Sequence, residues 1–328
     1  MKKNLIFLLK LVTVCILVTA ILLSLSAVYK HGLTYQGSNS GMSKFDSVPD
    51  QIEYANFGPS YGMKCFRYAP LEAMGKTCFN FSLTMQDLYH DYALYKTYEE
   101  HFKNGAVVAI PLSYFSFCSD ITAPSGNRYY KILDRKYIKD YTLEKEVSAK
   151  YIPIYGNGGD LIRDLTNELL DSIMHKYTAA PDVGTTEAAE DSMEEISLKA
   201  DSDTRVFTIE TGNLIPYSDH IEAYETILIR WIEEMAAKGL KPVLLLTPYW
   251  HDYAFGFDEA LLKTGYHDPV ERVIRETGVD YIDFCSEKYA EYIHTPRYFS
   301  NCDHVSLEGS EEFMRLYMEY LKEKGLLP

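Results

Sequence analysis

Short apolar runs separated by helical patterns constrain the fold of this chain more than any other feature. Continuous apolar runs are typical of strands that are buried on both faces, and amphipathic helices between them favour a parallel sheet. The sequence therefore predicts a three-layer α/β/α sandwich with a parallel sheet of about five strands. The predicted strands cover residues 52–57, 77–81, 106–112, 242–247 and 279–284.

The N-terminal segment differs from the rest of the chain. Residues 11–28 carry no charged side chain, and a run of about 18 such residues is long enough to cross a bilayer as a helix. Lys2 and Lys3 precede the run, which predicts a cytoplasmic N-terminus and an extracytoplasmic domain. We therefore expect a single-pass protein of the cell membrane. The small residues of "SLSA" leave a cleaved signal peptide as the alternative.

These patterns divide the chain into three parts. Residues 1–30 form the cytoplasmic N-terminus and the anchor, residues 31–50 a polar linker, and residues 51–328 the α/β domain. Within that domain, residues 128–205 interrupt the alternation and are interpreted as an insertion. Its segment 181–203 is acidic and poor in aromatic residues, which predicts a mobile loop.

Charge and cysteine content exclude several classes of function. The formal net charge is −15, which argues against binding of nucleic acid or other polyanions. Of the six cysteines, Cys15 lies in the predicted anchor and the others show no zinc-type spacing. Buried thiols are the simplest interpretation, and no metal or cofactor is expected.

Ser60 lies in "FGPSYG", directly after the first predicted strand. Chemistry in open parallel sheets collects at the carboxyl ends of strands, where the N-terminus of the next helix offers backbone N–H groups to an oxyanion. Ser60 is therefore a candidate nucleophile. The alternative is a simple strand-to-helix turn in which Ser60 is the N-cap.

A second candidate, His304, lies in "NCDHVSLEGS", residues 301–310, just before the last predicted helix. A loop histidine beside carboxylate and amide side chains is suited to act as a general base near neutral pH. The alternative is a surface histidine next to the helix cap Ser306.

Together these segments resemble the SGNH (GDSL-like) hydrolase superfamily, which has a flavodoxin-like sheet. The resemblance is to its membrane-anchored branch, which includes alginate O-acetylation proteins and the D-alanyl transfer protein of teichoic acid synthesis. It covers most of the chain from about residue 50, without the insertion. It implies that Ser60 is the nucleophile and that the segment with His304 supplies the base. It also implies that residues 78–98 and the third strand contribute to the oxyanion hole.

The chain departs from the superfamily pattern at several positions. Asn301 stands where an aspartate usually supports the histidine. Asp303 is directly adjacent to His304, and adjacent side chains tend to diverge, so whether Asn301 or Asp303 supports the imidazole stays open. The usual glycine of the second block falls near Met85, and the nearest polar substitute in the third block is Ser113. Thr84 and Asn80 complete the candidate oxyanion residues.

Other residues after the fourth strand suggest weaker sites. Tyr249 and Trp250 could stack on sugar rings, or they could cover the core. A metal site built from His220, His251, Asp252, Asp303 and His304 has no supporting spacing.

The resemblance implies an extracytoplasmic, serine-dependent O-acyl transfer of acetyl-type groups to a cell-surface glycan or polymer. It also implies a multi-pass membrane acyltransferase as partner, and no nucleic acid. A free-standing carbohydrate esterase and a non-catalytic SGNH-like scaffold or glycan-binding protein are the alternatives. Degraded second and third blocks would favour the scaffold.

Overall fold

A parallel sheet forms the centre of the α/β domain in the computed structural model, which describes residues 2–39, 41–118, 120–177 and 218–327. The strands in chain order are β1 (Ile52–Asn56), β2 (Cys78–Asn80), β3 (Phe102–Leu112), β4 (Lys241–Leu246) and β5 (Asp280–Asp283). Their order in the sheet is β2-β1-β3-β4-β5, and each neighbouring pair is parallel. The predicted α/β fold is confirmed, since every strand overlaps one of the predicted apolar runs.

Helices lie on both faces of the sheet. The helices that precede β3 in the chain are α1 (Lys2–His31), α2 (Leu33–Ser38), α3 (Ser60–Cys65), α4 (Ala69–Ala73) and α5 (Leu88–Tyr98). Of these, α1 and α2 belong to a separate compact unit and not to the sheet domain. Between β3 and β4 the described helices are α6 (Tyr129–Ile132), α7 (Leu143–Tyr151), α8 (Gly158–Tyr177) and α9 (Ser218–Ala237). After β4 they are α10 (His251–Ala254), α11 (Glu259–Leu262), α12 (Asp268–Thr277), α13 (Ala290–Ile293) and α14 (Leu307–Glu323). Helix α9 packs against α5 and α12, whereas α14 packs against α3.

The start of α14 is fixed by its cap. The Ser306 hydroxyl accepts a hydrogen bond from the Gly309 N–H at 3.1 Å, which satisfies one of the free donors of the first turn. A two-stranded antiparallel pair, β6 (Phe299–Asn301) and β7 (His304–Val305), precedes this cap. The pair places Asn301 opposite His304.

The strand order positions the site. The order changes direction between β1 and β3, and in open parallel sheets the crevice outside such a switch point binds ligands. Packing below the carboxyl end of β1 is aromatic: Phe57 stacks on Phe81 at 4.7 Å and meets Trp231 edge-on at 5.2 Å. All three side chains are fully buried, so the turn after β1 rests on a rigid base.

The chain divides into two compact units. One contains residues 46–122 and 187–328, and the other contains residues 1–45 and 123–186. The second unit starts with α1, which is long and apolar enough to cross a membrane, with a mean hydropathy of 2.8 over an 18-residue stretch. It also holds the first part of the predicted insertion 128–205, whereas the predicted acidic loop 181–203 lies outside the described residues.

Candidate active site

The turn that presents Ser60 depends on two glycines. Gly58 has φ 108°, a conformation that side chains disfavour. A Cβ on Gly62 would approach the Ser82 hydroxyl to 2.6 Å and the Phe57 carbonyl to 2.8 Å. The glycine-rich sequence therefore allows α3 to start tightly against β1 and β2. Pro59 occupies the N-cap position and Ser60 is the first residue of α3, so the alternative role of Ser60 as N-cap is wrong.

A buried amide network holds α3 in place from below. The side-chain amide of Asn56 donates to the Ser82 hydroxyl at 2.7 Å and to the side-chain oxygen Oδ1 of Asn80 at 3.0 Å. The Asn80 amide in turn lies 3.4 Å from the Gly62 carbonyl and 3.1 Å from the Phe66 carbonyl. Asn80, a candidate oxyanion residue from the sequence, thus binds the backbone of α3 in this structure.

Ser60 and His304 meet although 244 residues separate them in the chain. The Ser60 hydroxyl lies 2.8 Å from His304 Nε2, and His304 Nδ1 lies 2.6 Å from Asp303 Oδ1. The His304 and Asp303 side chains are 21% and 20% exposed. A hydroxyl, an imidazole and a carboxylate in this order form the arrangement that activates serine nucleophiles.

Asp303 reaches the imidazole, and the expectation that its side chain would diverge from His304 is wrong. The reason is the tight turn between β6 and β7. The side-chain oxygen of Asn301, Oδ1, accepts hydrogen bonds from the backbone N–H groups of Asp303 at 3.1 Å and His304 at 2.9 Å. The same oxygen lies 3.2 Å from His304 Nδ1. Asn301 therefore shapes the loop, and Asp303 makes the shorter contact with the imidazole.

Tyr61 is a site residue that sequence analysis missed. Its ring stacks on the His304 imidazole with a centroid distance of 4.9 Å and an interplanar angle of 24°. Its hydroxyl donates to Asp303 Oδ2 at 3.3 Å. Tyr61 therefore contacts both the base and its carboxylate. The only sequence feature that indicates a role for Tyr61 is its position directly after Ser60. Because the chain has 28 tyrosines, a single tyrosine near a candidate nucleophile is weak evidence.

A cavity of about 360 Å³ opens beside Ser60. Met85, Ser113 and Pro111 line it together with the turn that carries Ser60. Met85 is 87% exposed and has φ 52°. It therefore adopts the left-handed backbone conformation that glycine favours. Met85 and Ser60 thus line the same cavity.

Of the two remaining oxyanion candidates, Ser113 lines this cavity and Thr84 does not. Thr84 is half-buried in the turn that leads to Met85. Ser113 is buried, and its hydroxyl accepts from the Phe115 N–H at 3.3 Å and lies 3.4 Å from the Ser116 hydroxyl. Ser113 therefore lines the cavity while stabilising the turn after β3.

Asp91 is a second residue that sequence analysis missed. It lines the cavity from α5, and its carboxyl group accepts hydrogen bonds from the Gly58 N–H at 2.7 Å and from the Gln86 amide. Burial raises the pKa of Asp91 from 3.8 to about 8, because the charged form loses its hydration. Asp91 thus joins the turn before Ser60 to the segment after β2. Nothing in its local sequence distinguishes it from other helical aspartates.

The remaining candidates do not gather at the cavity. Tyr249 is fully buried and Trp250 is 7% exposed, which favours core packing over sugar stacking. Tyr249 meets the ring of Tyr61 edge-on at 5.5 Å and so supports the site from below. Within the part of the chain that the structure describes, no group of three or more potential ligands could hold a metal ion. His220 lies near Asp120, and His251 near Asp252.

Comparisons with known proteins find matches among solved structures. No family model matches the chain, and no curated protein matches it. A solved structure from Bacteroides fragilis, described as a "putative acylhydrolase", is 9% identical in sequence, with a TM-score of 0.42. The match covers 88% of this chain and 96% of that protein.

Proposed function

We propose that this protein is an extracytoplasmic, serine-dependent O-acyltransferase that acts on a cell-surface glycan or polymer. The observation that carries this proposal is the continuous contact from Ser60 through His304 to Asp303, at 2.8 and 2.6 Å. This contact lies at the switch point of a parallel sheet and beside a cavity. A non-catalytic scaffold does not require a hydroxyl, an imidazole and a carboxylate in hydrogen-bond contact, and Ser60 and His304 are 244 residues apart in the chain.

The geometry supports a two-step reaction. In the first step the Ser60 oxygen attacks the carbonyl carbon of an acyl donor, and His304 Nε2 takes the serine proton. Asp303 stabilises the imidazolium through Nδ1, and backbone N–H groups of Ser60 and the Met85 turn face the oxyanion. The donor leaves with the proton from His304, and the acyl group stays on Ser60.

In the second step an acceptor hydroxyl takes the acyl group. His304 removes the proton of that hydroxyl, the hydroxyl oxygen attacks the acyl-Ser60 carbonyl, and Ser60 leaves with the proton from His304. The acyl donor is supplied by a multi-pass membrane acyltransferase, as the resemblance implies. Helix α1, as a membrane anchor, would hold the domain beside such a partner.

Replacement of the nucleophile tests the proposal. Ser60→Ala should abolish labelling by a serine-directed fluorophosphonate and should abolish acylation of the surface polymer in cells. The fold should stay intact, because Ser60 is the half-buried first residue of a helix and the substitution removes only its hydroxyl. Ser148→Ala is the matched control, since its hydroxyl binds the Tyr155 carbonyl in the second unit. Unchanged labelling and acylation in Ser60→Ala would disprove the mechanism.

One observation favours esterase activity as a second candidate function. The His304 side chain is 21% exposed, so water has access to the base and can replace the acceptor hydroxyl in the second step. Hydrolysis of p-nitrophenyl acetate by the purified full chain, without a partner, would favour the esterase. Labelling of Ser60 without any hydrolysis would favour the transferase.

A further inference from the structure

The C-terminal end of α1 is part of a folded unit. Tyr29 is 5% exposed and forms an apolar cluster with Ile154 and Leu161. Leu22, which lies two turns before Tyr29 on α1, also packs against this cluster. The Ser26 hydroxyl accepts a hydrogen bond from the Ile154 N–H at 3.5 Å. Cleavage after Ala27, the last residue of "SLSA", would remove Leu22 and Ser26 from this packing, so the contacts favour a retained anchor.

These contacts also fix the depth of residues 152–161 relative to α1. They extend along α1 from Leu22 to Tyr29, a distance of about 10 Å at 1.5 Å per residue. Leu22 and Ser26 belong to the uncharged run of residues 11–28. If that run is in the bilayer, residues 152–161 lie at the level of the lipid interface.

Helix α8 carries an apolar sector that continues from this contact. Leu161 is buried on α1, whereas Ile162, Leu165 and Leu169 are 68%, 48% and 60% exposed. At 100° per residue, Leu165, Leu169 and Ile162 follow Leu161 within about 100° of the helix circumference. The open apolar sector therefore lies directly beside the surface that contacts the anchor.

The other sides of α8 are mostly polar, although Leu170, which is 52% exposed, lies on the same side as Arg163. Asp164 accepts from the Thr34 N–H at 3.0 Å and from the Thr34 hydroxyl at 2.6 Å, which fixes the rotation of α8 relative to α2. Arg163 and Asn167 are exposed on the side away from the apolar sector. A helix with this division is typical of segments that lie in the plane of a membrane interface.

The segment before α8 has the same character. Leu143, Val147 and Tyr151 are exposed at four-residue spacing along α7, with exposed fractions of 64%, 38% and 64%. Tyr155 follows with 55% exposure. Tyrosines are enriched at the boundary between lipid and water, and these two flank Ile154, which contacts the anchor.

We propose that the apolar face of α8, formed by Ile162, Leu165 and Leu169, lies in the lipid interface beside the C-terminal end of α1. The chain is then held to the bilayer at two points, the anchor and this helix. The clamp between α8 and α2 keeps the second point at a fixed rotation. The proposal requires α1 to be in the bilayer and is independent of the chemistry at Ser60.

Tryptophan quenching in a bilayer tests the proposal on the full-length chain. Leu165→Trp and Leu169→Trp place a probe on the apolar face, and Asn167→Trp places one on the polar face as the matched control. Each variant is reconstituted in phosphatidylcholine nanodiscs with lipids that carry a nitroxide near the headgroup. The emission of the wild type, from Trp231 and Trp250, is subtracted. Val18→Trp, with a deep nitroxide, reports whether α1 is inserted.

We expect the added emission of Leu165→Trp and Leu169→Trp to be blue-shifted and quenched at least about twofold more than that of Asn167→Trp. Equal quenching at positions 165, 169 and 167, with Val18→Trp quenched, would overturn the proposal. A Val18→Trp probe that is not quenched would overturn it through its premise. The far-UV circular dichroism spectrum and the Tm of each variant, compared with those of the wild type, show that the chain is folded.

Discussion

The two sides of the candidate site differ in how they are built. On the base side, Ser60, His304 and Asp303 are joined by contacts of 2.8 and 2.6 Å, and the ring of Tyr61 covers the imidazole. The oxyanion side is a turn with the 87% exposed Met85 at its tip. The base side is therefore complete within the chain. The oxyanion side borders an open cavity of about 360 Å³, as expected where a donor or partner binds.

The difference between the base side and the oxyanion side indicates which parts of the site tolerate amino-acid substitution. A proton relay depends on side-chain identity, so each member of the base side is chemically specific. An oxyanion donor in the backbone depends only on dihedral angles. Met85 can therefore replace a glycine if the chain supports φ 52°, at a cost of order 1 kcal/mol.

The largest effect is expected at His304. His304→Ala should lower the rate of fluorophosphonate labelling and of ester cleavage by about 10³-fold or more, because Ser60 loses its general base. His251→Ala, which removes a half-exposed histidine paired with Asp252, is the matched control and should retain the wild-type rate. A His304→Ala rate within a few-fold of wild type would refute the base side of the comparison.

Substitutions at Asp303 and Asn301 test which residue orients the His304 imidazole and which shapes the loop that carries it. Asp303→Asn should lower kcat by about 10²-fold or more, because the imidazolium loses its carboxylate. Asn301→Ala should lower the Tm more and kcat less, since the Asn301 oxygen accepts two backbone N–H groups. The order of the two kcat values is decisive, and a larger kcat loss in Asn301→Ala would reverse the assignment.

Substitutions at Met85 test the oxyanion side. Met85→Gly should keep the activity and raise the stability slightly, because glycine adopts φ 52° without strain. Met85→Pro fixes φ near −65° and removes the N–H, so it should lower kcat about 10- to 100-fold. Equal kcat values in the two variants would show that the backbone of Met85 takes no part in the reaction.

The last prediction concerns Asp91 and the pH dependence of stability rather than the rate of the reaction. The pKa of Asp91 is about 8 in the folded protein and about 4 in an unfolded chain. The folded state therefore keeps a proton that the unfolded state releases. Through this group, stability is full below about pH 4 and falls as the pH rises to about 8, by at most about 1.4 kcal/mol per pH unit.

Asp91→Asn removes this dependence while keeping an oxygen that can accept the Gly58 N–H. Urea unfolding of the variant and the wild type at pH 5 and pH 8.5 measures the difference. The stability of the variant relative to wild type should increase with pH. A difference that is the same at both pH values would show that Asp91 is ionised in the folded protein.

Much of the fold followed from local sequence. The apolar run 106–112 predicted the buried part of β3, and the runs 242–247 and 279–284 predicted β4 and β5. Burial on both faces of a parallel sheet leaves a mark on every residue of a strand, so such runs are visible without partners. The contribution of Tyr61 and Asp91 was not visible, since it depends on residues that are distant in the chain.

The sequence by itself determined the order of strands and helices, the glycines that permit the turn before Ser60, and the apolar run of α1. These depend on local periodicity and backbone freedom, which neighbouring residues encode. Only the tertiary structure decided that His304 reaches Ser60, that Asp303 rather than Asn301 makes the shorter contact, and that Tyr249 and Trp250 are buried. Those outcomes depend on how distant segments pack, and local sequence does not record the separation of two side chains across the sheet.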